Sequence, residues 1–411
     1  MGKSADIIRK ILCKKRIDEQ SIPWITYEVS REDVVCFHLS TNPMLAFTSG
    51  DRQYFFRECP PKQKREVYIN AQIARFFAYI NNNDLKKINF VQELPIKISF
   101  NQEIINDFYA YIGTRQKDYR FIRKIGVVHQ TLHSNGYSIW RENNIVSPAL
   151  FNQVGLERLS AHLYDIAVYF IWYMRGVMAA LDAQTAVFGL KRYYYNAVRT
   201  MATETVAKAL EIEELITHSQ WCRLIINGET RFGIASEVAP GMRAVDTEML
   251  PNGLLQRDLI CLNVLDAICF QPDHGPNNYN IDLFRNRTLC AFDNDNPNTF
   301  FPISKIYWNF SGCAPIVTAQ GKWNRPYMEQ TMAKALLNID KAKLKTELAP
   351  YLNKLQIISL LHRLRQVQVL MKDACLLSNA QWNGETLQKE LSGDYGKTYL
   401  WSFANRNEHL I

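Results

Sequence analysis

Asp273 and Asn278 stand five residues apart in Gln271-Pro-Asp-His-Gly-Pro-Asn-Asn278, and a second acid, Asp293, follows in Ala291-Phe-Asp-Asn-Asp295. Metal-assisted phosphoryl transfer needs such a set. One carboxylate takes the proton of the attacking hydroxyl, an amide oxygen holds Mg²⁺, and a second carboxylate bridges the metal to the nucleotide phosphates. The spacing therefore assigns Asp273 as the catalytic residue, Asn278 and Asp293 as metal ligands, and ATP and Mg²⁺ as cofactors.

The flanking residues supply elements that would hold this set in place. Leu255, Leu259, Leu262, Leu265 and Cys269 recur at three- and four-residue steps, the period of a helix that buries a face. Pro272 and Gly275-Pro276 interrupt that pattern. Tyr279-Asn-Ile-Asp-Leu-Phe284 reads as a strand, Arg285-Asn-Arg287 as a turn, and Thr288-Leu-Cys-Ala-Phe292 as a second strand that delivers Asp293 at its end.

The run from Asp258 to Asn278, taken with Ala291-Phe-Asp-Asn294, resembles the atypical kinases: phosphatidylinositol 3- and 4-kinases, actin-fragmin kinase and the HipA-type bacterial kinases. It departs from their pattern at two positions. His274 follows Asp273 directly where the family has an Arg, and Asp295 stands where it has a Gly. The resemblance implies a two-lobed α+β fold, with a small antiparallel N-lobe sheet, a large helical insertion and a mainly helical C-lobe. It also implies ATP-dependent phosphorylation of a hydroxyl.

Four segments follow from this reading. Residues 1–80 hold an N-terminal helix, to about residue 20, and the N-lobe strands Val34–Leu39, Met44–Ser49 and Gln53–Glu58, with a helix from Arg65 to Ile80. Residues 81–190 form the helical insertion. Residues 191–245 carry a helix, a hairpin turning at Asn227-Gly228, and a hinge near Ser236 to Gly241 in which Glu237 would meet the adenine. Residues 246–411 make the C-lobe, in which an activation-like loop after Asp295 is followed by a leucine-rich helical bundle.

A nucleotide site of this kind also needs a cation for the phosphates and a helix acid to orient it. Two assignments stay open. Arg57, on the strand Gln53–Glu58, has Glu66 as its helix acid; Lys191 follows the apolar run Thr185–Leu190 and has Glu204 on the helix Thr200–Leu210. Glu204 is the favoured acid, because its helix leads straight into the hairpin, and Arg57 could still pair with it across the insertion.

Composition narrows the class. A chain of 411 residues can bury a large core. The net charge of +8 is dispersed, which argues against a nucleic-acid partner. Nine scattered cysteines without a Cys-x-x-Cys pair fit reduced thiols in a cytoplasmic protein. His129 and His133 lack the Glu of a zinc protease motif. The apolar stretch from Leu163 to Leu190 carries Asp165, Arg175 and Asp182, so it reads as a core helix and not as a transmembrane segment. The expected acceptor is a protein or peptide, with a lipid head group as the alternative. A pseudokinase that binds nucleotide or a partner protein without transfer is the competing class.

Overall fold

The computed structural model describes residues 22–30, 32–37, 44–59, 65–82, 100–115, 151, 156–182, 195–244, 253–271, 274–294, 296, 299–304, 306, 327–372 and 374–384. Asp273, Lys191, the expected N-terminal helix, His129 and His133 lie outside them.

The protein is mixed α+β. A six-stranded sheet is built from β1 (Ile25–Val29), β2 (Val34–Phe37), β3 (Met44–Ser49), β4 (Arg52–Glu58), β5 (Ser219–Ile226) and β6 (Glu229–Glu237), in the order β1-β5-β6-β4-β3-β2. The local chemistry of the turns sets its two tight hairpins. Asn227 and Gly228 both adopt positive φ (47° and 81°), giving the two-residue turn whose twist suits β5 and β6. Gly50, at φ 59°, turns β3 into β4. The antiparallel expectation for this sheet needs one correction. β1 was not foreseen, and it pairs in parallel with β5, Ile25 opposite Cys222 through Val29 opposite Ile226. Its partner lies far along the chain, and no local turn signal announces such a pairing.

Gly233 lets β6 approach β4. A Cβ at this position would lie 2.1 Å from the Arg57 carbonyl oxygen and 2.8 Å from the Phe56 ring. Gly233→Ala should therefore force the two strands apart and lower stability by about 1–3 kcal/mol, as overpacking does. Chemical denaturation checks this, and an unchanged midpoint would refute it.

Helices pack in two groups. α1 (Arg65–Asn81), α2 (Gln102–Arg115) and α3 (Tyr164–Asp182) share one core, in which the Phe76 and Phe170 rings meet edge to face and Tyr173 Oη donates to Gln72 Oε1 at 2.8 Å. α3 takes up residues 164–182 of the apolar stretch noted above, and its side chains from Ile166 to Ile171 are buried against protein. No helix among the described residues is long and apolar enough to cross a membrane.

The second group surrounds α5 (Gly253–Cys269), which follows α4 (Tyr195–Ala209) and the short β7 (Met242–Arg243) in the chain. α5 is buried along almost its whole length, Arg257 and Asp258 included. Apolar residues on every side of a helix are what full burial demands. Around it lie α4, the hairpin β8 (Tyr279–Ile281) and β9 (Leu289–Ala291), the parallel pair β10 (Tyr327–Glu329) and β11 (Cys375–Leu377), and the helices α6 (Gln330–Asn338), α7 (Lys341–Leu348) and α8 (Lys354–Met371). β8 and β9 are shorter than the sequence suggests, because Asp282 to Thr288 form the connecting turn.

Among the described residues the side chains of Cys59, Cys222, Cys261, Cys269 and Cys290 are buried. Burial pushes the Cys222 and Cys290 thiols up to about 12, so they pack as small apolar groups and not as nucleophiles.

Candidate functional site

A cavity of about 580 Å³ opens between the six-stranded sheet and the β8–β9 hairpin. Met44 of β3, Phe55 and Arg57 of β4, and Ile234, Ser236 and Glu237 of β6 form one wall; Asn277, Asn278, Asn280, Phe292, Asp293 and Asn294 form the other. Thr200 of α4, Thr217, Val238, Ala239 and Arg243 close its sides. Its size falls in the range typical of small-molecule sites. Four residues singled out from sequence thus meet in one place: Arg57, Glu237, Asn278 and Asp293.

The hairpin places the amide and the acid together. Asn278 ends a short 3-10 turn, Pro276–Asn278, and its carbonyl accepts the Phe292 N–H at 2.9 Å. That bond ties the start of β8 to the residue before Asp293. On the other side, the Thr217 N–H donates to the Ala291 carbonyl at 2.9 Å and joins the hairpin to the segment leading into β5. Asp293 itself has φ 64°, the left-handed region that Asp tolerates better than most residues.

Arg57 and Asp293 are the pair across the cavity. Arg57 Nη2 lies 2.8 Å from Asp293 Oδ1, with both side chains largely shielded from solvent. The guanidinium fork suits a carboxylate, and equally a phosphate.

Glu204 behaves differently from the expectation that it would orient a cleft-facing cation. It is buried on α4, but its partners among the described residues are Lys208 Nζ at 2.8 Å, His218 Nδ1 at 2.7 Å and the Ser219 N–H at 3.1 Å. It therefore pins α4 to the start of β5, while Thr200, one turn earlier, faces the cavity. The reason is geometric: β5 begins beside Glu204, and Arg57 finds an acid directly opposite in Asp293. Glu66 lies in the first turn of α1, whose helix packs with α2 and α3.

At the expected hinge, the Glu237 carboxylate takes Arg52 Nη1 at 2.6 Å. The Glu237 N–H donates to the His218 carbonyl at 2.9 Å and the Val238 N–H to the Gln53 carbonyl at 3.1 Å. Among the described residues the Ala239 N–H has no acceptor, although Ala239 is buried at the cavity edge. Asn280 Nδ2 holds this linker through the Ala239 carbonyl at 2.8 Å and the Gly241 carbonyl at 3.3 Å.

Three supports were not foreseen. His274 is buried, with Nδ1 2.6 Å from Asp266 Oδ1. Burial works against its charge, but Asp266, Asn294 and Asp293 outweigh this and raise its pKa above the ordinary histidine value. Asp258 is fully buried and accepts from Arg257 Nε at 2.8 Å, Arg287 Nη1 at 3.2 Å, the Thr288 N–H at 2.6 Å and Thr288 Oγ1 at 3.0 Å. Arg287 also reaches Glu329 Oε2 at 2.8 Å. This network anchors the far end of the hairpin to α5 and β10. Gln271 is the third support; its amide Nε2 donates to the Asp293 carbonyl at 3.3 Å.

The donor set suits a hard cation. Asp293 and Asn278 offer a carboxylate and an amide oxygen on one wall, and among the described residues no three His, Cys, Asp or Glu side chains cluster as a self-contained metal cage. Mg²⁺ is commonly held in this way, by one or two protein oxygens, with phosphates and water completing the shell. No protein-family model matches the chain, and no curated protein is significantly similar to it.

Proposed function

We propose that the protein is an ATP- and Mg²⁺-dependent phosphotransferase of the atypical kinase type. In this reading the six-stranded sheet belongs to a small lobe and the α5-centred group to a large one, with α4 packed against both, and the cavity is the nucleotide cleft between them. The observation that carries the proposal is the convergence of Arg57, Asn278 and Asp293 on one cavity wall and its opposite. Arg57 stands 236 positions from Asp293, and a polar loop matching the motif by coincidence would not meet a remote cation across a cavity.

The roles follow from the chemistry. Ala239 offers its N–H to the adenine edge, beside the linker that Asn280 steadies. Arg57 leaves Asp293 to grip phosphate oxygens, and Asp293 and Asn278 hold the cation. Mg²⁺ supplies charge neutralisation at the transferring phosphoryl group. Asp273, from the same loop as Asn278, takes the proton of the acceptor hydroxyl as its oxygen forms the new P–O bond and ADP leaves. A protein or peptide is the proposed acceptor.

A second reading has one observation in its favour. Glu204 is committed to Lys208 and His218 and does not serve as the helix acid for Arg57, as a pseudokinase would tolerate. Nucleotide binding without turnover would select that reading. For the metal assignment, Asp293→Ala should remove the Mg²⁺-dependent part of nucleotide binding while leaving circular dichroism and melting near wild type. Unchanged Mg²⁺ dependence in that variant would remove Asp293 from the site.

A further inference from the structure

Asp293 sits at φ 64°, in the left-handed region that Asp tolerates but that the surrounding structure must hold. The group that holds it is within reach. Gln271 is fully buried, and three hydrogen bonds fix it: its N–H donates to the Asp266 carbonyl at 2.9 Å, its Oε1 accepts from Thr299 Oγ1 at 2.9 Å, and its Nε2 donates to the Asp293 carbonyl at 3.3 Å.

The frame around Gln271 is rigid and strained. Phe270, immediately before it, and Phe300, immediately after Thr299, both adopt left-handed backbones (φ 59° and 61°), which bulky side chains disfavour. The Phe300 N–H donates to the Cys269 carbonyl at 2.7 Å, and buried Arg363 joins the Ile268 and Phe301 carbonyls at 2.8 and 3.0 Å. Two loops are thus locked to the end of α5, and Gln271 is the side chain that passes from this lock to the backbone of Asp293.

We propose that Gln271 is a positioning residue of the metal site, fixing the Asp293 backbone so that its carboxylate faces the cavity. The inference rests on the reading of Asp293 as a metal ligand. A group that orients a ligand without touching the metal typically changes metal affinity by about 10–100-fold when removed.

The test measures the affinity of the full chain for a fluorescent ATP analogue over a Mg²⁺ titration. Gln271→Met keeps the volume and removes the donor; the Mg²⁺ concentration needed for half of the metal-dependent tightening should rise by about 10–100-fold. Metal-free nucleotide affinity should not move. Thr299→Val, which keeps the Asp293 bond and removes the other, should retain the wild-type Mg²⁺ response. If Gln271→Met does not fold, Gln271→Leu provides the same readout, since it also fills the site and cannot donate to Asp293. A wild-type Mg²⁺ response in the folded Gln271 variant, or an equal loss in Thr299→Val, would overturn the proposal. Absence of any Mg²⁺ response in the wild-type chain would instead remove the metal reading itself, and this inference with it.

Discussion

Asp273→Asn should bind ATP as the wild-type chain does and turn it over about a hundredfold more slowly or worse, the range expected when a positioned general base is lost. The substitution preserves volume and removes only the charge. Asp273 precedes Asn278 by five residues, in a loop bounded by Pro272 and Pro276. Before it, Gln271 accepts from Thr299 Oγ1 and donates to the Asp293 carbonyl, and after it His274 is anchored to Asp266 inside α5. The loop is therefore tied at both sides of Asp273, so the variant should leave the cavity intact. Affinity and turnover measured on one preparation decide the matter. Loss of both would make Asp273 structural, and loss of neither would end the phosphotransfer reading of this loop.

The largest expected effect on stability belongs to a residue that does not line the cavity. Asp258→Ala should cost about 3–5 kcal/mol, because it strands buried cations that the carboxylate now satisfies. Arg257 is 1% exposed and Arg287 is 7% exposed, so neither can turn to water for compensation. The Thr288 N–H loses its acceptor in the same step. Chemical denaturation measures the loss, and a change under about 1 kcal/mol would mean that the network contributes no more than a surface ion pair. Because Arg287 and Thr288 close the hairpin that carries Asn278 and Asp293, the variant should also weaken nucleotide binding.

What the sequence made legible, and what it hid, divides along the range of the interactions. Asn227-Gly228 announces its hairpin because the turn needs two residues at positive φ, a local demand. The leucines of α5 announce a helix because burial at its period is local too. The acid, amide and second acid lie within a short stretch, so their spacing could be read directly. β1 could not be, since its parallel partner β5 is remote in sequence.

The cation was the same kind of problem. Arg57 and Asp293 are 236 residues apart, and spacing alone left Arg57 and Lys191 as rivals. Glu204 was correctly read as lying on a helix leading into the hairpin, but the partner of a buried carboxylate depends on what folds against it. Here that is His218 and the Ser219 N–H. Gln271 gave no signal, because a glutamine beside a proline has many roles, and only its amide's approach to the Asp293 carbonyl singles it out.

The most direct measurement is a crystal structure of the chain with a non-hydrolysable ATP analogue and Mn²⁺, using anomalous scattering to locate the metal. The account predicts a metal peak at about 2.0–2.2 Å from oxygens of Asp293 and Asn278, as for octahedral Mg²⁺ sites. It also predicts phosphate density at Arg57 and the adenine beside Ala239. A metal peak away from Asp293, or nucleotide absent from the cavity at saturating concentration, would contradict it.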